Sequence, residues 1–105
     1  MTTLNVEILH IADCANWQEA GRRLRAALDA TGHHTTPVKF RLLNSPTEAE
    51  SVPFAGSPTI LINGSDAVPD ASPITELACR IYRTSAGFAG APTIEELTQA
   101  ITERI

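Results

Sequence analysis

The stretch LNVEILHIADCANW, residues 4–17, joins an apolar segment to a cysteine. It begins at Leu4 as an alternation of apolar and polar residues and becomes a nearly continuous apolar run by Ala12, a pattern typical of a strand buried on both faces. Cys14 and Trp17 follow at once, where the spacing of the later apolar residues places the start of a helix. A central strand that leads into a cysteine is therefore the feature around which the fold is predicted.

Six further elements are predicted from the pattern of apolar residues and from helix caps. Ser45, Pro46 and Glu48 have the order of a helix start, and Thr93 with Glu96 forms a capping box. The elements are a helix with its apolar stripe at 17–31, an alternating strand at 38–43, a short helix between Ser45 and Pro53, a strand at 59–62, a fourth strand at 77–82, and a last helix whose stripe runs from Ile94 to Ile105.

The order β-α-β-α-β-β-α predicts an α/β fold with a mixed four-stranded sheet and helices on both faces. The first three strands are joined by connections long enough to carry helices, so we expect them to be parallel, with the second nearer the sheet edge. After a loop from Ser65 to Glu76, the fourth strand is expected to pair antiparallel with the third. Gly87 to Gly90 is predicted to be a connector, and residues 1–105 form a single domain.

Composition excludes several classes of protein. The 105 residues carry a net charge of -4, with 43% hydrophobic and 19% charged residues, so a disordered chain is excluded. No apolar run approaches the ~20 residues of a membrane span, and no signal peptide is evident. The acidic balance argues against nucleic-acid binding. We therefore expect a cytoplasmic protein, in which Cys14 and Cys79 are reduced.

Two local motifs, combined with the element order, resemble the thioredoxin-like superfamily. Cys14 lies just after the first strand, and the segment GSPT, residues 56–59, stands immediately before the third strand, where that family carries a cis-proline. Gly87 and Gly90 are similar to the family's connector. The chain looks most like small bacterial thioredoxin-like proteins with a C-x-x-W site, some of which have selenocysteine at the position of Cys14. The resemblance implies a redox-active chalcogen at this site.

The sequence departs from the family at one position. Thioredoxins and glutaredoxins use C-x-x-C, in which the second cysteine resolves the mixed disulfide, whereas Trp17 occupies that position here. Exchange within the motif is impossible. A monothiol route remains open, as does resolution by Cys79 or by an external thiol.

The position of Cys14 favours a reactive thiol, which we expect to act as the nucleophile. Free N–H groups and the positive dipole end at a helix start stabilise a thiolate. The neighbouring Asp13 opposes this because a negative charge disfavours the thiolate. The alternative is a buried, inert thiol at the start of the helix.

Other candidate site residues have a structural interpretation beside the functional one. Trp17 is either a lid over the thiol or the first residue of the helix's apolar stripe, and the spacing favours the stripe. A cis bond at Pro58 would turn the Ser57 main chain toward Cys14, so that Ser57, Pro58 and Thr59 bind an extended substrate; otherwise Pro58 simply begins a strand. Cys79 lies on the apolar face of its predicted, alternating strand, which favours a core thiol over a resolving cysteine.

No cofactor or metal is expected. His33 and His34 are adjacent in a polar loop and point apart, and His10 is expected to be a satisfied histidine of the core or of a sheet face. No zinc spacing, phosphate-binding glycine loop or Ser/His/Asp motif is present.

Three hypotheses follow from these observations. The leading one is a monothiol redox protein in which the Cys14 thiolate attacks a disulfide or peroxide, with a small thiol or a protein disulfide as partner. The second is a non-catalytic thioredoxin-like module that binds a peptide or forms a homodimer through its sheet edge. The third is a thiol site for a soft metal or organometal, which requires the sulfurs of Cys14 and Cys79 to lie within a few Å of each other.

Overall fold

The fold is described from a computed structural model, which covers residues 4–69 and 71–104. Its elements in chain order are β1 (Val6–His10), α1 (Asn16–Ala30), β2 (Val38–Leu42), α2 (Pro46–Glu50), β3 (Thr59–Ile62), β4 (Ser65–Asp66), β5 (Tyr82–Thr84), β6 (Gly87–Ala89) and α3 (Ile94–Glu103). Strands β1 to β4 form one sheet in the order β2-β1-β3-β4, and β5 and β6 form a separate antiparallel hairpin. The chain therefore has the mixed α/β architecture that was predicted, with β1 inside the sheet and β2 at its edge.

Helices cover both faces of the sheet, as predicted. Val6 and Ile8 of β1 face a core cluster built with the buried residues of α1 and α3, and the two helices pack against each other. Leu9 of β1 points to the opposite face of the sheet, where it packs in a second core cluster with Ala49 of α2 and with Phe54. Burial on both faces explains why β1 has a nearly continuous apolar sequence.

The local signals at the helix starts are confirmed. The Ser45 hydroxyl accepts a hydrogen bond from the Glu48 N–H at 3.2 Å, with Pro46 as the first residue of α2. Thr93 and Glu96 form the reciprocal capping box at the start of α3. Within the predicted stripe of α3, Leu97 and Ile101 are buried, whereas Ile105 lies outside the described residues.

The expectation that the first three strands are all parallel is wrong for β3. Strand β2 is parallel to β1, but β3 is antiparallel to it, with Leu9 beside Thr59. The connection between the two strands, residues 43–58, contains only the five-residue α2 as regular structure. It stays at the end of the sheet where β2 stops, and β3 starts from that same end.

The predicted fourth strand at 77–82 is also wrong, as is the connector at Gly87 to Gly90. The fourth strand of the sheet is β4, which follows β3 through a two-residue turn. It occupies the first two residues of the predicted Ser65–Glu76 loop. Asn63 and Gly64 have φ values of 52° and 85°, as the tight turn of a hairpin requires, and Asn-Gly is the strongest sequence signal for such a turn. Residues 82–89 instead pair with each other as β5 and β6.

Candidate redox site

The two cysteines are paired in a disulfide, although they are 65 residues apart in the sequence. Cys14 lies between the end of β1 and the start of α1, and Cys79 lies in the segment that precedes β5. Their Cα atoms are 5.9 Å apart, within the usual range for bridged cysteines. The expectation that both are reduced thiols differs from this structure, which brings together the only two sulfurs that could form an internal redox pair.

Exposure differs sharply between the two cysteines. Cys14 is 2% exposed and belongs to the apolar cluster beneath α2. Cys79 is exposed and lines a shallow depression of about 350 Å³, whose rim includes Ile81 and Phe88, each 73% exposed. The prediction of a core thiol at Cys79 is therefore wrong.

Of the two alternatives for Pro58, the structure has the cis form, and the loop that contains Pro58 contacts the segments of both cysteines. The Ser57–Pro58 bond is cis, and the Ser57 side chain accepts a hydrogen bond from the Ile11 N–H at 3.1 Å. The Ser57 carbonyl oxygen lies 3.5 Å from the Cys14 sulfur. This loop therefore holds the end of β1 and Cys14 in a fixed relation.

The segment that carries Cys79 is bound to the same loop. The Ser57 N–H donates to the Ala78 carbonyl and the Arg80 N–H donates to the Ser57 carbonyl, both at 2.8 Å. We expected these main-chain groups to bind an extended substrate, but the protein's own segment occupies them. Thr59, which was expected to bind substrate with Ser57 and Pro58, is fully buried, and its hydroxyl donates to the Gly56 carbonyl at 2.6 Å. It shapes the loop instead.

Arg80 fixes the segment from its other side. Its side chain is almost fully buried and forms an ion pair with Asp66 at 2.8 Å, and it also donates to the Val68 carbonyl at 2.6 Å. Its guanidinium lies 4.3 Å from the centre of the Tyr82 ring. Gly56 allows this close approach, because a Cβ atom there would lie 2.7 Å from the Arg80 Cβ, and its φ of 109° also disfavours any other residue.

Asn16 contributes a polar group beside the buried sulfur that sequence reasoning missed. Its side-chain amide nitrogen lies 3.8 Å from the Cys14 sulfur. The amide packs directly over Gly90, where even a single Cβ atom would overlap it. A polar side chain two residues after the cysteine was a visible signal, but only the fold brings Gly90 beneath it.

Trp17 lies with His10 and Phe40, on the opposite face of the sheet from the cluster that contains Cys14. Its ring stacks on His10 with centroids 4.4 Å apart and meets Phe40 edge-on at 5.5 Å. It packs against the core cluster on the α1 face of the sheet, as expected for the first residue of an apolar stripe. His10 is buried as predicted, but its Nδ1 has no hydrogen-bond partner among the described residues, so the expectation of a satisfied histidine is wrong.

The free energy of unfolding is expected to fall as the pH drops below about 6.5, because of His10. Burial lowers the pKa of its imidazole below the usual value of 6.5, so the unfolded chain binds more protons in this range. This stabilisation is fully present above 6.5 and is lost as the pH falls toward the lower pKa of the folded state. Urea unfolding at several pH values measures it, and His10→Phe should flatten the dependence.

His34→Gln, which removes an exposed histidine, is the matched control for the loss of a histidine side chain. Hydrogen bonds from Arg22 and Arg23 lower the pKa of Glu19 to about 2, so that carboxylate titrates below the range of interest. An unchanged slope in the His10→Phe protein would show that His10 does not titrate as proposed.

A resident metal site is not formed in the described part of the chain. No group of three or more His, Cys, Asp and Glu side chains is placed to hold an ion there. The sulfurs of Cys14 and Cys79 do converge, as the soft-metal hypothesis requires, but a disulfide offers no thiolate ligand. Metal binding by this pair would first require its reduction.

Two further observations bear on the class of protein. Among the helices of the described residues, none is long and apolar enough to cross a membrane. A scan against protein-family models, a search of curated proteins and a search of solved structures each found no match for this chain.

Proposed function

We propose that this protein is a thiol–disulfide oxidoreductase of thioredoxin-like type, in which Cys14 and Cys79 form the redox pair. The observation that carries the proposal is the disulfide between them, beside the cis-proline loop at the end of β1. Both cysteines belong to the chain, so the proposed cycle uses two protein thiols and needs no external thiol to resolve the mixed disulfide. Thiol–disulfide exchange is favoured over peroxide reduction because the Cys14 sulfur is buried and already has a sulfur partner.

The surroundings of Cys79 support a protein disulfide as the substrate. Ile81 and Phe88 give the depression an apolar rim, which favours a substrate with apolar groups beside its disulfide over a small charged thiol. The cytoplasmic location expected from the sequence stays a prediction. In that compartment disulfides are usually transient and catalytic, which agrees with a redox pair in which Cys79 is exposed.

Catalysis of exchange tests the proposal. The reduced protein should reduce a disulfide-containing protein, with dithiothreitol as the final reductant, much faster than the same concentration of free cysteine. Cys14→Ser and Cys79→Ser should each lower this rate by about a hundredfold, because each removes one half of the pair. A wild-type rate equal to that of free cysteine would refute the proposed activity.

A homodimer through the sheet edge is the second candidate, and one observation favours it. The outer edge of β2 pairs with no other strand of the described chain, and Phe40 and Leu42 are 48% and 42% exposed. Exposed edge strands are common sites of strand addition. Self-association that depends on Phe40 and Leu42, measured by sedimentation together with an absence of exchange activity, would favour this alternative.

A further inference from the structure

We infer that Cys79, and not Cys14, is the sulfur that forms the mixed disulfide with substrate, and that Cys14 is the resolving cysteine. This assignment rests on the proposed exchange activity. It reverses the roles expected from the sequence, in which the cysteine at the helix start attacks the substrate. Exposure, the stability of the leaving thiolate and the attachment of the Cys79 segment support it independently.

Access distinguishes the two sulfurs first. A thiolate attacks a disulfide at whichever sulfur it can reach, so access decides where the mixed disulfide forms. Cys14 is 2% exposed under the α2 cluster, whereas Cys79 lines the open depression with Ile81 and Phe88. An incoming thiolate therefore meets the Cys79 sulfur.

The surroundings of Cys14 suit a leaving group. Exchange is faster when the departing thiol has a lower pKa, that is, when its thiolate is stabilised. The Asn16 amide lies 3.8 Å from the Cys14 sulfur, and the 15-residue helix α1 begins at Asn16 with no side-chain hydrogen bond at its N-cap. The positive end of that helix favours a thiolate at Cys14. When the thiol is protonated, the Ser57 carbonyl at 3.5 Å can accept its hydrogen.

Cys79 is held where Cys14 can resolve it. The hydrogen bonds between Ser57 and the segment at 78–80, together with the buried Arg80–Asp66 ion pair, do not involve either sulfur. They can therefore persist when the Cys14–Cys79 bond is broken. A substrate attached to Cys79 then remains within reach of the Cys14 thiolate, as an intramolecular step requires.

The cycle balances as a two-electron exchange. In the reduced protein the Cys79 thiolate attacks one sulfur of a substrate disulfide; a Cys79–substrate bond forms, the substrate S–S bond breaks, and the first substrate thiolate leaves. The Cys14 thiolate then attacks the Cys79 sulfur, which forms the Cys14–Cys79 bond and releases the second thiolate. The protons lost by the two cysteines end on the two product thiols. An external dithiol reverses these steps by attacking Cys79 and expelling Cys14.

Trapping the mixed disulfide tests the assignment in the native protein. The oxidised wild-type protein is mixed with excess glutathione, quenched with N-ethylmaleimide and mapped by mass spectrometry. We expect glutathione on Cys79 and the maleimide on Cys14. Glutathione found mainly on Cys14 would overturn the assignment while leaving the exchange activity intact.

Matched single-cysteine variants give the second measurement. With dithiodipyridine as the disulfide, the Cys14→Ser protein, which keeps Cys79, should form its adduct quickly. The Cys79→Ser protein should react at least about tenfold more slowly, because its thiol is buried. Equal rates, together with glutathione on Cys14 in the native protein, would give the entry role to Cys14. If wild-type protein exchanges no faster than free cysteine, both the proposed function and this assignment fail.

Discussion

Reduction of the Cys14–Cys79 disulfide is expected to lower the free energy of unfolding by about 4 kcal/mol. The bridge joins residues 65 positions apart, so it restricts a long loop in the unfolded chain. Breaking it restores that conformational entropy to the unfolded state, while most contacts of the folded state stay intact. Urea unfolding with and without a phosphine reductant measures the difference, with the slope fitted separately for each form because the reduced unfolded chain is less compact.

The control for this experiment is the Cys14→Ser/Cys79→Ser double variant, which should unfold at the same urea concentration with or without the reductant. Its midpoint should lie near that of the reduced wild-type protein. A wild-type midpoint that does not respond to complete reduction would show that the disulfide does not contribute to stability. Complete reduction is verified by counting free thiols in the same samples.

Asp66→Asn is expected to lower the free energy of unfolding by roughly 3 kcal/mol. The substitution preserves the shape of the side chain but removes a carboxylate charge that pairs with Arg80, whose side chain is only 4% exposed. Weakening a buried ion pair costs more than weakening a surface pair, because water screens the remaining charge poorly there. Urea unfolding of the oxidised protein measures this loss.

Asp29→Asn is the matched control, because Asp29 pairs with Arg25 at 3.1 Å on the surface of α1. The same chemical change should cost at most about 1 kcal/mol there, since both partners remain solvated. Equal losses for the two variants would contradict the special role of burial at Asp66. A normal midpoint for Asp66→Asn would show that the Asp66–Arg80 ion pair does not stabilise the folded protein.

Local sequence signals predicted the helices and two parts of the site. Helix α1 follows from the spacing of its apolar residues, and α2 and α3 begin at the capping residues Ser45 and Thr93. These features depend on neighbours within four residues, so the sequence alone contains them. The positions of Cys14 and Pro58 also agree with the prediction. Cys14 follows the first strand that the apolar pattern located, and Pro58 immediately precedes the third.

The direction of β3 and the identity of β4 required knowledge of length and turn geometry. A connection that contains a helix can cross the sheet or stay at one end, and the five-residue α2 stays at one end. The Asn63–Gly64 pair directly follows the predicted strand at 59–62 and is the usual sequence of a two-residue hairpin turn. The signal for β4 is therefore local.

The orientation of the segment around Cys79 was decided by tertiary structure alone. Hydrophobic alternation predicted that Cys79 and Ile81 face inward, yet Arg80 and Tyr82 are buried and Ile81 is exposed. A charged side chain can occupy the interior only if the fold supplies a partner, and Asp66 and the Val68 carbonyl do so for Arg80. No local pattern reveals a partner 14 residues away.

By itself, then, the sequence determined an α/β chain with a cysteine after its central strand and a proline immediately before its third, and left the isomer of that proline open. Tertiary structure decided that Cys79 pairs with Cys14 in a disulfide, and that Cys79 rather than Cys14 is exposed to solvent. The physical reason is that helix caps and apolar periodicity act over a few residues, whereas pairing of buried charges and of sulfurs depends on positions that only the completed fold brings together.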